Sequence, residues 1–181
     1  MNALQKLKLV WYSLLLLMCA LLFGLPLLHS EAVSRIDMQL LEGVEEHEDR
    51  VIPFLTKEKD RAPDYRLEYR VEGRWETAGT KLNTSAVDAL TFPINSLPNR
   101  ELISELRVSD QDTIESDPLE VVAVTGDVVK GDMFEFRIET AFSYNAGMAW
   151  FFQTAIGKFI GIALVVVILI IILAYVPIDI G

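Results

Sequence analysis

Three aspartates, Asp110, Asp112 and Asp117, crowd one stretch, Ser109-Asp110-Gln111-Asp112-Thr113-Ile114-Glu115-Ser116-Asp117-Pro118-Leu119, which reads as a loop between two strands. Carboxylate oxygens gathered on a loop suit a hard cation; Ca2+ takes about 6–8 oxygens at about 2.3–2.6 Å. The EF-hand loop is a different arrangement, and this stretch lacks its glycine and the spacing of its final glutamate. A polar turn is the other reading, because aspartate is a good turn former.

Other chemistry is sparse. The two histidines, His29 and His47, have neither metal-ligand spacing nor a neighbouring nucleophile motif, and no glycine-rich phosphate loop is present. Serine hydrolase and metalloprotease chemistry is therefore not expected. Catalysis by a carboxylate pair, as in glycosidases, meets too many acidic residues to nominate two. The single cysteine, Cys19, lies in an apolar run, so the acidic middle of the chain has no thiol for a disulfide, a zinc site or a nucleophile. Asn83-Thr84-Ser85 matches the N-glycosylation pattern, which matters only on a eukaryotic secretory route. The chain reads as a non-enzyme.

The elements that must position the aspartates read as β. Tyr65 to Glu72 alternates apolar and charged at every step, which puts Tyr65, Leu67, Tyr69 and Val71 on one face of a strand. Met133 to Glu139 repeats the pattern with Phe134, Phe136 and Ile138 inward, and so do Ile36, Met38 and Leu40. Further strands are expected over Arg50–Leu55, Arg74–Thr80, Asp88–Ile94, Leu102–Val108 and Leu119–Val124, about eight in all. Glu72-Gly73, Pro98-Asn99, Ser116-Asp117-Pro118, Gly126-Asp127 and Gly131-Asp132 punctuate them as turns. Only Leu40 to Glu48 invites a helical reading. Short strands at this spacing indicate an antiparallel sandwich or barrel.

The run from Asp60 to Val124 resembles a C2 domain, the calcium-dependent, phospholipid-binding β-sandwich of eight strands. Asp60-Arg61-Ala62-Pro63-Asp64-Tyr65 is similar to that family's first-loop signature, with proline and aspartate exchanged. Trp75-Glu76-Thr77, Lys81-Leu82-Asn83-Thr84 and Leu90-Thr91-Phe92-Pro93 follow in the family's order. Glu105-Leu106-Arg107-Val108-Ser109-Asp110-Gln111-Asp112, then Ser116-Asp117-Pro118-Leu119, is similar to the family's strand ending in Asp-x-Asp with a further Asp ahead of an apolar strand. The resemblance implies an eight-stranded antiparallel C2-like β-sandwich and Ca2+ ligands at Asp60, Asp64, Asp110, Asp112 and Asp117. No lysine-rich strand offers the phosphoinositide patch.

Both ends of the chain are apolar. Leu9 to Leu28 and Phe159 to Val176 carry no charge, and each is long enough for the roughly 20 helical residues that a bilayer core of about 30 Å requires. The expected organisation is a cytoplasmic start over 1–8, a transmembrane helix over 9–28, a soluble β-sandwich over 31–145, an interfacial helix start over 146–158, a second transmembrane helix over 159–176 and a cytoplasmic end over 177–181. The first segment reads as retained rather than cleaved. Its apolar run exceeds the usual signal core of about 7–15 residues, and neither a small-x-small site nor a good lipobox follows. Lys6 and Lys8 place the N-terminus inside by the positive-inside rule, which puts the sandwich outside the cytoplasm, at a bacterial inner membrane.

Trp150 is an expected interfacial anchor and Lys158 can snorkel to headgroups. Gly157 and Gly161 form a G-x-x-x-G pair that permits close helix contact. Residues 31–145 hold 25 acidic and 13 basic side chains, a net −12. Such a domain is a poor nucleic-acid binder, because phosphate contacts need a basic face. The expected partners are the bilayer and other membrane-complex subunits, or a second copy through the helices. The function expected is a binding or assembly subunit, with a Ca2+-responsive module at the membrane surface as the alternative.

Overall fold

The computed structural model describes residues 3–46, 62–111 and 116–175. Two units separate, a β unit over 31–142 and a helical unit made from the two ends of the chain.

In the β unit, alternation becomes strand. The strands are β1 (Glu31–Leu40), β2 (Tyr65–Val71), β3 (Arg74–Lys81), β4 (Leu90–Pro93), β5 (Ile103–Gln111), β6 (Ser116–Ala123), β7 (Val128–Lys130) and β8 (Phe134–Phe142). They form two four-stranded sheets in the orders β4-β1-β8-β7 and β3-β2-β5-β6, with every pair antiparallel. This is the eight-stranded sandwich expected. The β2–β3 hairpin turns on Glu72 and Gly73, at φ 53° and 80°, the double left-handed conformation of a two-residue turn that fits the strand twist.

The inner faces carry the apolar sets read from the sequence. Ile36, Met38, Tyr65, Leu67, Tyr69, Phe134, Phe136 and Ile138 are buried, with Leu106 and Val108 from β5 and Phe92 from β4. Tyr65 of one sheet meets Phe134 of the other edge-on, with ring centroids 5.6 Å apart. Burying a side chain of this class contributes about 1.5–3 kcal/mol, so a truncation such as Phe134→Ala strikes both sheets at once.

Within the β unit the structure departs from the sequence reading in three places. Val128–Lys130 is a strand where only turns are expected. Three residues between two Gly-Asp pairs are too few to show alternation. Residues 41–46 form a turn and irregular chain rather than a helix, and the expected strand Arg50–Leu55 lies outside the described residues. Asp110 and Asp117 are strand residues and register partners across β5 and β6, not members of a single loop.

The helical unit contains α1 (Ala3–Leu28), α2 (Tyr144–Gln153) and α3 (Ala155–Tyr175). Gln5–Leu28 and Ala155–Leu173 are long and apolar enough to cross a membrane. At 1.5 Å per residue, 24 and 19 residues span about 36 and 29 Å. The apolar run from Ala146 is not one helix. Thr154 is extended and splits it into α2 and α3.

Candidate functional site

Two of the five candidate Ca2+ ligands come together at the start of β2. Asp110 is 2 % exposed, and its Oδ1 accepts the Asp64 N–H at 3.1 Å. Asp64 Oδ1 in turn accepts the Asn83 N–H at 2.7 Å, and the Asp64 carbonyl accepts the Gln111 N–H at 2.9 Å. The two aspartates thus fasten the start of β2 to the end of β5 and to the turn after β3. The backbone of Asp117 lies opposite Asp110. Asp60 and Asp112 lie outside the described residues. Among the described residues, no group of three or more His, Cys, Asp or Glu side chains could hold a metal. Two carboxylates fall short of the roughly 6–8 oxygens that Ca2+ takes, so a site here needs Asp60, Asp112, Asp117 or carbonyls as well.

A denser polar arrangement, not singled out in the sequence, covers the outer face of β3-β2-β5. Strand alternation turns Arg66, Glu68 and Arg70 of β2 away from the core, and Glu105 and Arg107 of β5 likewise. Glu68 and Arg107 are register partners. Arg107 Nε and Nη2 both donate to Glu68 Oε2, at 2.7 and 2.6 Å. Arg66 Nη2 lies 3.1 Å from Glu68 Oε1 and donates to Thr77 Oγ1 at 2.9 Å. Arg107 also stacks on Trp75, 4.3 Å from the ring centroid, and Arg70 lies 5.8 Å from it while bonding Glu105. Glu68, with its side chain 9 % exposed, is thus enclosed by guanidinium groups. Beside them opens a cavity of about 260 Å³ lined by Arg66, Glu68, Arg107, Ser109 and Pro118. Guanidinium groups pair well with carboxylates, and in Arg107 that capacity is already taken by Glu68.

Three further carboxylates act as clasps. Glu46 accepts from Tyr65 Oη, Ser85 Oγ and the Ala86 N–H. Glu120 of β6 reaches the loop before β8 and accepts the N–H groups of Asp132, Met133 and Phe134. Glu135 bonds Lys130 and Arg137, and the hydrogen bond from Lys130, then that from Arg137, lowers its carboxyl below the usual range. On the open side between β3 and β4, Tyr69 donates to Glu76 at 2.8 Å and shares a hydrogen bond with Ser96. Burial pushes its phenol up, the Ser96 bond opposes this, and Glu76 adds to it. No local pattern marks Glu46 or Glu120, because their partners lie far away in sequence or are backbone amides.

Within the helical unit, Trp150 stacks on His29, with ring centroids 3.5 Å apart and planes 11° apart. Lys158 is exposed. Thr154 builds the break between α2 and α3. Its Oγ1 donates to the Phe151 carbonyl at 2.8 Å and accepts the Gly157 N–H at 3.1 Å, so one hydroxyl closes one helix and caps the next. A Cβ on Gly157 would overlap the Phe151 carbonyl oxygen, whereas one on Gly161 would meet nothing within 4 Å. Gly147 similarly leaves room for the Pro26 carbonyl in the last turn of α1.

Neither a family model nor a curated protein matches the chain. Two solved structures of the paired C2 domains of Extended-Synaptotagmin 2, the second calcium bound, are similar to it over 61% and 59% of its length. Their TM-scores are 0.32 and 0.29, at 12% and 14% sequence identity. The match covers 41% and 45% of those chains, less than half of each. A likeness of this size carries no weight by itself, so the architecture rests on the strand order and register above.

Proposed function

We propose that this chain is a non-enzymatic, membrane-anchored binding or assembly subunit. In this reading α1 and α3 cross a bacterial inner membrane, both termini are cytoplasmic, and the sandwich stands outside the cytoplasm to contact other subunits of a membrane complex. One observation carries the reading. Glu31 and Phe142, the first and last residues of the sandwich, are register partners on neighbouring strands. α1 ends just ahead of Glu31, and Phe142 leads into α2 and then α3. A domain whose two ends meet is what a helical hairpin can display as a loop. Large apolar side chains left exposed along those helices, among them Leu16, Phe23, Phe159, Ile162 and Leu173, have lipid as their natural cover.

Mild detergent extraction followed by native mass measurement tests this role. The expected result is the chain in company with other membrane proteins, or with copies of itself. A strictly monomeric species overturns it.

A second reading, a Ca2+-responsive module bridging to lipid or to a partner, is favoured by the meeting of Asp64 and Asp110, with Asp60, Asp112 and Asp117 near them in sequence. A site of the extracellular class, with Kd about 10⁻⁴–10⁻³ M, would stabilise the fold by mass action. Millimolar Ca2+ should then raise the melting temperature of the native chain and leave Asp110→Asn/Asp112→Asn unmoved. An unchanged melting temperature in the native chain removes this reading.

A further inference from the structure

The sandwich leaves four strand edges, and natural sheets protect such edges with short length, proline, lysine or bulges. Three carry such protection at their ends or within them. β4 is four residues long and ends in Pro93. β7 is three residues long and ends in Lys130. β3 is bulged opposite Leu67–Glu68 and carries Arg74 and Lys81 at its ends. β6 is protected only in its first half, by Pro118 and the bulge opposite Val108–Ser109. Its second half, Glu120 to Ala123, has no proline, lysine or arginine and keeps unbroken register with β5.

The backbone polarity of that half follows from one bond. The Val124 N–H donates to the Ser104 carbonyl at 2.9 Å. In an antiparallel ladder the inward-bonded residues alternate, so Val122 and Glu120 bond toward β5 while Val121 and Ala123 turn their N–H and C=O groups to the open side. Among the described residues β5 is the one strand beside β6. The open side gives onto a groove of about 610 Å³ between β6 and β7, lined in part by Val121, Val122 and Val128. Val121 and Val128 are each 53% exposed. The charges lining it are Glu120, Asp132 and Lys130, with Lys130 already paired to Glu135. The domain around it carries −12.

We propose that the β6 edge is a docking site for an extended, basic segment of a partner protein, which adds to the sheet as a fifth strand. The ladder supplies affinity, the exposed valines take apolar side chains, and the acidic surroundings select a cationic strand. A second copy of this chain is disfavoured, because β6–β6 pairing brings two strongly negative domains against one another. The inference rests on the binding-subunit reading and names that partner's chemistry.

The test uses the full-length chain in detergent micelles and a short synthetic peptide of alternating valine and lysine. Amide hydrogen exchange at Val121 and Ala123 is expected to slow about tenfold or more with the peptide. The same peptide N-methylated at alternate residues keeps the charge but cannot form the ladder, and should give no protection. A valine–glutamate peptide should also give none. Val121→Pro removes an outward N–H without touching the β5 ladder and should abolish the effect; where that variant misfolds, the N-methylated peptide decides. Equal protection by the N-methylated peptide, or protection that appears on concentrating the chain alone, overturns the proposal. A native complex that survives in Val121→Pro overturns the edge site while leaving the subunit role standing. A native chain that extracts as a monomer overturns the role itself.

Discussion

Glu120 Oε2 accepts the N–H of Phe134 at 3.0 Å, which ties β6 of one sheet to the first residue of β8 in the other. Glu120 Oε1 takes the amides of Asp132 and Met133, so one side chain satisfies three consecutive backbone donors. Gly131 is required beside it, because a Cβ there would overlap the Glu120 carboxylate. Glu120→Ala should therefore destabilise the sandwich by about 1–3 kcal/mol, the cost of leaving such donors unmet. Glu120→Gln, which keeps one acceptor oxygen, should cost less. Denaturant midpoints of the two variants check the order, and equal midpoints would refute the clasp.

Gly157 and Gly161 should behave differently. In a helix–helix seam both glycines matter. The geometry assigns Gly157 to the turn at Thr154, where a methyl group would press on the Phe151 carbonyl, and leaves Gly161 in open space. Gly157→Ala should cost about 1–3 kcal/mol, as overpacking does, whereas Gly161→Ala should be neutral or slightly favourable through helix propensity. Thermal loss of helical circular dichroism in micelles measures both. An equal cost at the two positions would point to the seam.

Alternation made β2 and β8 legible, since Tyr65, Leu67 and Tyr69 of β2 and Phe134, Phe136 and Ile138 of β8 have only one way to face a core. Uninterrupted apolar runs exposed the two long helices in the same direct way. What patterning could not reach is non-local. That β1 lies between β4 and β8 depends on the pairing of Ile36 with Phe92 on one side and with Ile138 on the other, and neither leaves a local mark. The Arg107–Trp75 stack joins residues distant in sequence, and Glu120 bonds amides that nearly every residue possesses. Asp110 and Asp64 were visible as acidic residues, yet their fastening of β2 to β5 was not, because a carboxylate on a backbone N–H has the same sequence signature as one awaiting a cation.

The pH dependence of the Lys130–Glu135 pair has a definite sign. Lys130 first, then Arg137, lowers the Glu135 pKa from its usual 4.5. A depressed carboxylate pKa stabilises the fold above the unfolded-state value, and that contribution is lost as pH falls through the folded-state value. Lys130→Ala should thus be less stable than the native chain at neutral pH, with the gap closing on acidification below 4.5. Denaturation midpoints across pH test this, and a gap that widens in acid would refute it.

Tyr69 gives the opposite limb. Burial, the largest cause, raises its phenol above the usual 10.0. An acid held neutral in the fold contributes stability below the unfolded-state pKa, and that contribution declines as pH rises above it. The native chain should lose stability above pH 10.0 through this group, whereas Tyr69→Phe should lack that component. Parallel alkaline profiles for the two proteins would contradict the assignment.

Glu68 and Arg107 should be strongly coupled. Glu68 is nearly enclosed, and Arg107 reaches it with two nitrogens while lying on Trp75. Removing Glu68 alone leaves Arg66 and Arg107 facing each other over the sheet with like charge. Removing Arg107 alone leaves an enclosed carboxylate served, among the described residues, by Arg66 only. Each single change therefore carries a penalty that the other relieves, and replacing both partners costs less than the sum. A cycle of Glu68→Ala, Arg107→Ala and the double variant should return a coupling of about 0.5–3 kcal/mol, as contacting residues in one network do. Arg107→Lys is the sharper control. It keeps the charge, but it surrenders the planar stack on Trp75 and the paired donation to Glu68, so it should recover only part of the loss. Full recovery by lysine would mean that charge alone organises this face.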